Sequence, residues 1–277
     1  MTDPVSSALP ERSPLRSCLG LLLGAAVLLP LAPLLIWSLA GQWFFPALLP
    51  QAWSLDAWRY VLSPSSRVGT ALLTSTGVAL ATVAVCVVLG LPAARALGLH
   101  VFRGKGLVEW LILLPLVVPG LVIAMGVQVV FIRYGLADTP LGVVLVHVVP
   151  CLPYFVLVMA GVFANYSTEL EETARTLGAR PWQVFLYVTL PAITPGLAVA
   201  ALLTFLVSWT QYISTVLIGG GQVVTLPMVL FPLVGAANHA NAAAVSLVFL
   251  LPALLALGVT VRALATDSRA MGGFGKL

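Results

Sequence analysis

Ser167-Thr168-Glu169-Leu170-Glu171-Glu172-Thr173-Ala174-Arg175-Thr176-Leu177-Gly178-Ala179-Arg180-Pro181-Trp182 places three glutamates and two arginines in sixteen residues, with long uncharged runs on either side. It reads as two short helices. Thr168 suits the cap of the first, with Glu171 three residues on reaching back to complete a capping box. Glu171 and Arg175 stand four apart, and the glutamates lie at the end of the helix dipole that favours negative charge. Gly178 suits a left-handed stop. Pro181 suits the first turn of a second helix, where its missing amide is not needed. Trp182, Phe185 and Leu186 give that helix an apolar side before Leu190-Pro191 turns the chain into the next apolar run.

Outside this stretch the chain is unlike a soluble protein. Of its 277 residues, 60% are apolar and 8% charged, against roughly 45–50% and about 25% in soluble domains. No fold of this size hides that much apolar surface from water, so the chain sits in lipid. A disordered chain, a collagen-like repeat and a disulfide scaffold are excluded. The three cysteines, Cys18, Cys86 and Cys151, read as small buried hydrophobes, with no spacing for a metal site or bridge.

A helix needs about 20 apolar residues to cross a bilayer. Six runs qualify: Leu19–Leu39, then between Arg67 and Arg95, Glu109 and Arg133, and Asp138 and Glu169, and finally Pro191–Leu217 and Ala242–Leu264. The first lacks a cleavage site and reads as an uncleaved anchor. Val223–Val234 is too short and carries Pro227 and Pro232, so it reads as re-entrant or interfacial. The expectation is an all-α integral membrane protein with six transmembrane helices and a cytoplasmic helix between spans 4 and 5. It divides into a tail (1–18), a first helix and external loop (19–66), a five-helix core (67–265) and a second tail (266–277).

Six spans put Arg12, Arg16, Arg95, Arg103, Lys105, Arg175, Arg180, Arg262, Arg269 and Lys276 on one side, leaving Arg59, Arg67 and Arg133 on the other. Basic residues favour the cytoplasm, so both termini are expected there. The external segment between spans 1 and 2 holds Trp43, Phe44, Phe45, Trp53, Trp58 and Tyr60. An interfacial aromatic belt is the plainer explanation of these, and a docking surface for an external partner is the sharper alternative. Gly20-x-x-x-Gly24 reads as close helix packing.

No hydrolase or zinc motif is present, so no catalytic and no metal residue is assigned. His100, His147 and His239 each lack a ligand-spaced neighbour and read as lone packed or solvated side chains. Lys105 follows Gly104 without the remainder of a phosphate-binding loop. No Asp, Glu, Lys or Arg lies deep in a span, whereas ion-coupled carriers usually keep one there. Transport by this chain would need energy from outside the bilayer.

Glu172-Thr173-Ala174, three residues, Gly178, nine residues, then Val188-Thr189-Leu190-Pro191 resembles the signature of the membrane subunits of binding-protein-dependent ABC importers of the type I fold: Glu-Ala-Ala, Gly and Ile-x-Leu-Pro at these spacings. Thr173 and Val188 are the departures. The resemblance implies a permease of the cell inner (cytoplasmic) membrane, not an enzyme and without cofactor or nucleic acid. It implies two separate ATPase subunits, a second permease (itself or a sibling) and an extracytoplasmic solute-binding protein. The coupling loop to the ATPase would comprise Glu171, Glu172, Thr173, Ala174, Gly178, Pro181, Leu190 and Pro191. An ion-coupled carrier or channel with a similar loop is the alternative.

In the fifth run, Thr204, Ser208, Gln211, Tyr212 and Thr215 recur on one helical face. A polar stripe faces protein or water, as packing glue or as the solute path. Trp209 lies off the stripe and reads as packed. Leu217-Ile218-Gly219-Gly220-Gly221-Gln222 with Thr225-Leu226-Pro227 resembles the branch serving spermidine/putrescine, iron(III), thiamine and phosphonates, without choosing among them.

Overall fold

Uncharged apolar runs become helices because, in lipid, each backbone N–H and C=O must be satisfied within the protein. The computed structural model describes residues 22, 26, 29–44 and 46–274. They form α1 (Ala32–Ser38), an antiparallel ribbon of β1 (Ala40–Gln42) and β2 (Ala52–Trp53), α2 (Asp56–Leu62), α3 (Val68–Leu99), α4 (Lys105–Val117) and α5 (Gly120–Arg133). There follow α6 (Pro140–Ala164), α7 (Glu169–Thr176), α8 (Pro181–Val184), α9 (Leu190–Trp209), α10 (Ile213–Gly219), α11 (Leu226–Gly235) and α12 (His239–Phe274). A π-helical turn, Phe185–Thr189, joins α8 to α9. Apart from the ribbon, the regular structure among the described residues is helical.

Among the described residues, Val68–Leu99, Pro140–Ala164, Pro181–Trp209 and His239–Arg262 are long and apolar enough to cross a membrane. Residues 19–21, 23–25, 27 and 28 of the first expected span, Gly20 and Gly24 among them, lie outside the described residues, as do Cys18 and Phe45. The third expected span is not one rod: α4 and α5 meet at a bend of 101°. Val118 is extended (φ −80°, ψ 130°), as the residue before a proline prefers to be, and Pro119 then leads into α5. The fifth is broken as well. α9 stops at Trp209 and α10 starts at Ile213, so the five polar residues do not share one continuous helical face. Val223–Val234 covers all but the last residue of the ten-residue α11, with one proline in its first turn and Pro232 inside. His239 starts α12.

The centre of the bundle is α3, α6 and α9. Cys86, Leu91 and Ala94, then Cys151, Phe155, Met159 and Phe163, then Ile193 and Ala200 form its buried cluster. Two glycines set the spacing of α3 against α6. A methyl at Gly90 would stand 2.5 Å from Phe155 Cδ1, and one at Gly98 would stand 2.5 Å from Phe163 Cβ and 2.8 Å from the Ala160 carbonyl oxygen. Such small residues let helices approach closely where lipid supplies no hydrophobic drive. On the other side α12 covers α9, and Trp209 is packed between Phe205 and Phe249, with ring centres 5.6 and 5.3 Å away. At the end away from loop 165–190, Trp37 lies against Trp43 and His239, at 4.5 and 4.9 Å.

Candidate functional site

The polar loop folds into α7 and α8, but its first helix is not capped as the spacing suggests. Thr168 is itself helical (φ −81°, ψ −5°) and makes no side-chain cap bond. Its hydroxyl donates to Glu172 Oε1 at 3.3 Å. Glu171 is drawn away from the capping box by a stronger partner. Arg95, at the end of α3, grips its carboxylate with both guanidinium nitrogens, Nη1 to Oε1 at 3.0 Å and Nη2 to Oε2 at 2.6 Å. Two bonds from a guanidinium outweigh the single bond that a backbone N–H could give the same carboxylate.

Two further donors converge on the same carboxylate. Tyr166, just past α6, donates to Oε1 at 3.0 Å, and Thr189 in the π-helical turn donates to Oε1 at 2.7 Å. Arg175 stands 3.6 Å from Oε2, the pair expected at four-residue spacing. Glu171 is 3% exposed and Thr189 is 1% exposed. The Arg95 guanidinium, aided by the Thr189 and Tyr166 hydroxyls, holds the Glu171 carboxyl at about 2, against the opposing effect of burial. One carboxylate thereby fastens α7 to the ends of α3 and α6 and to the start of α9. Arg95 and Thr189 were invisible to local spacing, since they lie 76 and 18 residues from Glu171.

The other side of the loop is bare. Glu172 and Thr173 are exposed and Ala174 is half-buried. Leu170, Leu177 and Trp182 are 64%, 83% and 53% exposed. Gly178 has φ +87°, and its N–H meets the Arg175 carbonyl at 3.0 Å while the Ala179 N–H meets that of Ala174 at 3.0 Å. That is the paired closing pattern of a glycine-terminated helix. Pro181 opens α8, and the Arg180 N–H is held by Gln183 Oε1 at 2.8 Å. A hollow of about 400 Å³ lies between the two helices, lined by Ala174, Leu177, Gly178, Gln183 and Tyr187. Leu190 and Pro191 begin α9 behind it.

A family model described as the binding-protein-dependent transport system inner membrane component matches residues 86–267, from within α3 to within α12. The chain belongs to that family. This permease subunit is 34% identical over 229 residues to the molybdenum transport system permease protein of Mycobacterium tuberculosis, covering 76% of this chain and 86% of the relative. It is 30% identical over 235 residues to the 2-aminoethylphosphonate transport system permease protein of Salmonella paratyphi A, covering 82% and 85%. In fold it matches a chain of a bacterial ABC transporter involved in the import of the acidic polysaccharide alginate. There the TM-score is 0.69 at 18% identity, over 90% of this chain and 94% of that one. It is a multi-pass inner-membrane permease of an ABC importer, and not an enzyme.

The polar stripe of this permease is divided by the break between α9 and α10. Thr204, Ser208 and Thr215 are buried. Gln211 and Tyr212, at the break, are half-buried. Ser208 and Thr215 both reach His147 of α6, at 2.9 Å each. His147 is therefore no lone histidine, and sequence spacing offered no signal of it.

Proposed function

We propose that this permease carries a small hydrophilic solute, delivered by an extracytoplasmic binding protein, through the inner membrane. Two ATPase subunits drive it, and a second permease, itself or a sibling, completes the path. Loop 167–191 is the joint to the ATPase, formed by Glu171, Glu172, Thr173, Ala174, Gly178, Pro181, Leu190 and Pro191, and it faces the cytoplasm together with both termini. The observation that carries this reading is the loop's two-sidedness. Behind, Glu171 binds it to three helices of the bundle; in front, Leu170, Leu177 and Trp182 stand exposed around a hollow. Exposed apolar side chains rimmed by charge, outside the lipid zone, mark a protein-docking surface.

The route runs along span 5, with Thr204, Ser208, Gln211, Tyr212 and Thr215 on or beside it. For the cargo, the class best supported is a small oxyanion-bearing solute. No carboxylate lies deep in a span to guide a polycation, and the molybdenum and 2-aminoethylphosphonate permeases are relatives of this chain.

One preparation tests both parts. Proteoliposomes holding the complete complex and its binding protein are supplied with ATP and, in turn, molybdate, 2-aminoethylphosphonate or spermidine. Uptake of either oxyanion is expected, and uptake of spermidine alone would overturn the cargo class. In the Gly178→Trp variant, a bulky side chain meets a left-handed backbone costing about 1–2 kcal/mol and stands in the docking hollow. Uptake should collapse and the ATPase should no longer co-purify. A full ATPase complement with normal uptake would sink the assignment of this loop.

A further inference from the structure

The chain between α9 and α10, Thr210-Gln211-Tyr212, breaks its helix without a glycine or proline. Something outside the segment therefore holds it open. His147, 1% exposed on α6, uses both ring nitrogens across the break: Nδ1 lies 2.9 Å from Ser208 Oγ on α9, and Nε2 lies 2.9 Å from Thr215 Oγ1 on α10. On an unbroken helix these two positions would be seven residues, about 10 Å, apart along the axis. A single imidazole does not comfortably bridge that distance with a hydrogen bond on each side.

The proton count gives the bridge a direction. Thr215 Oγ1 also donates to the Gln211 carbonyl at 3.1 Å, and a hydroxyl has one proton to give. Thr215 must then accept from Nε2–H, which leaves Nδ1 to accept from Ser208. This tautomer is assigned from the network, which runs from Ser208 through His147 and Thr215 to a carbonyl inside the break. The far end of α10 is tethered too. The Leu217 carbonyl accepts from Gln128 Nε2 of α5 at 3.1 Å, and the Ile218 carbonyl accepts from the Asp138 N–H at 2.7 Å. Seven residues are too few to hold a helix on their own, and here α5, α6 and the turn between them hold both ends. At the break Gln211 Oε1 accepts from Ser214 at 3.0 Å, and Tyr212 stacks on Phe231 of α11 at 4.4 Å.

We propose that His147 is a positioning residue of the solute path: by splinting the break it turns Gln211 and Tyr212 out of the packed stripe and presents them to the route. This rests on the reading of span 5 as the route. The bridge from Ser208 to Thr215 through one imidazole favours the broken arrangement, because a continuous helix would set the two hydroxyls about 10 Å apart along its axis.

The test uses the complete transporter in proteoliposomes, with its three native cysteines replaced by alanine and a single cysteine at Tyr212. The probe is a small charged methanethiosulfonate, and the labelling rate is read with and without ATP plus vanadate. Labelling that changes with nucleotide is expected when His147 is intact. His147→Leu, of similar bulk but unable to bond, should reduce the labelling rate or its nucleotide response about fivefold, as loss of interhelical hydrogen bonds shifts a two-state population. His147→Gln, which keeps one donor and one acceptor, should restore most of it. Thr215→Val, which cuts the chain at one end, should reproduce the Leu result without touching the ring. If the histidine served only to fill space, Leu would match the parent and Gln would fare no better; that order overturns the proposal. Absence of labelling in both nucleotide states with His147 intact counts instead against span 5 as the route. If the Leu protein does not assemble, Thr215→Val decides by the same readout.

Discussion

Glu171 at the basic end of the bundle and His147 in its interior both fasten helices that are distant in sequence, with opposite electrostatics. Glu171 is charged and answered by a charge: Arg95 makes two bonds to it, and two hydroxyls complete its shell. Arg95 keeps 30% of its side chain exposed, so the pair stands at the edge of water and is only partly stripped of solvent. His147 lies among neutral partners, with hydroxyls on both ring nitrogens. Deep in a membrane an isolated charge is costly, and a neutral donor and acceptor do the same fastening without it. Depth therefore selects the chemistry of a joint: a salt bridge where water is near, an uncharged relay where it is not.

The hardest way to break this contrast is to remove the cation. Arg95→Met should leave Glu171 buried without its main partner and destabilise the fold by about 3 kcal/mol or more, read as thermal unfolding of the purified complex. Adding Glu171→Leu should recover much of that stability, because the stranded charge goes with it. It should not recover coupled transport, since α7 is then untied. A double variant as unstable as Arg95→Met alone would mean that the joint does more than balance charge.

Acid offers a milder break. Because Arg95, with Thr189 and Tyr166, holds Glu171 at about 2, below its ordinary 4.5, its contribution is complete above about pH 4.5 and fades as pH falls toward 2. A loss of stability over that window is expected, smaller than for Arg95→Met because the hydroxyls can still bond the protonated acid. In Arg95→Met this acid-induced loss should shrink or reverse, because burial then acts without the opposing cation and raises the folded carboxyl back towards or above its ordinary value. A pH profile that Arg95→Met does not move would detach the effect from Glu171. The smallest expected effect lies at the neutral joint's outer tether. Gln128→Leu removes one interhelical bond to the Leu217 carbonyl and should cost about 0.6 kcal/mol, again by thermal unfolding. A cost as large as that of Arg95→Met would erase the distinction between the two regions.

Much of the loop was legible because its determinants are local. Gly178 with its positive φ and Pro181 at the start of α8 obey short-range backbone rules, and the Glu171–Arg175 spacing correctly predicts a close pair. Glu171 itself was misjudged as a cap partner because Arg95 lies on a different span, and no window around residue 171 contains it. The bend at Val118-Pro119 could have been found from its proline. The break at Thr210–Tyr212 could not, because no residue there breaks helices; His147 and Gln128 act on it from α6 and α5. A periodicity argument assumes that a helix continues, and so it placed five polar residues on a face that the fold divides.

Gly90 and Gly98 of α3 carry a consequence for how such a chain can drift over generations. What a new side chain would strike at Gly90 is the Phe155 ring and the end of Leu152, both side chains. A lineage that gains alanine there can be rescued by a smaller residue at 155, so these positions should change in step. At Gly98 the obstacles include the Ala160 carbonyl and the Ala164 amide nitrogen, which every residue possesses. No substitution on α6 can remove them. The first glycine is open to negotiation with its neighbour, whereas the second should stay frozen while the rest of the helix is rewritten around it.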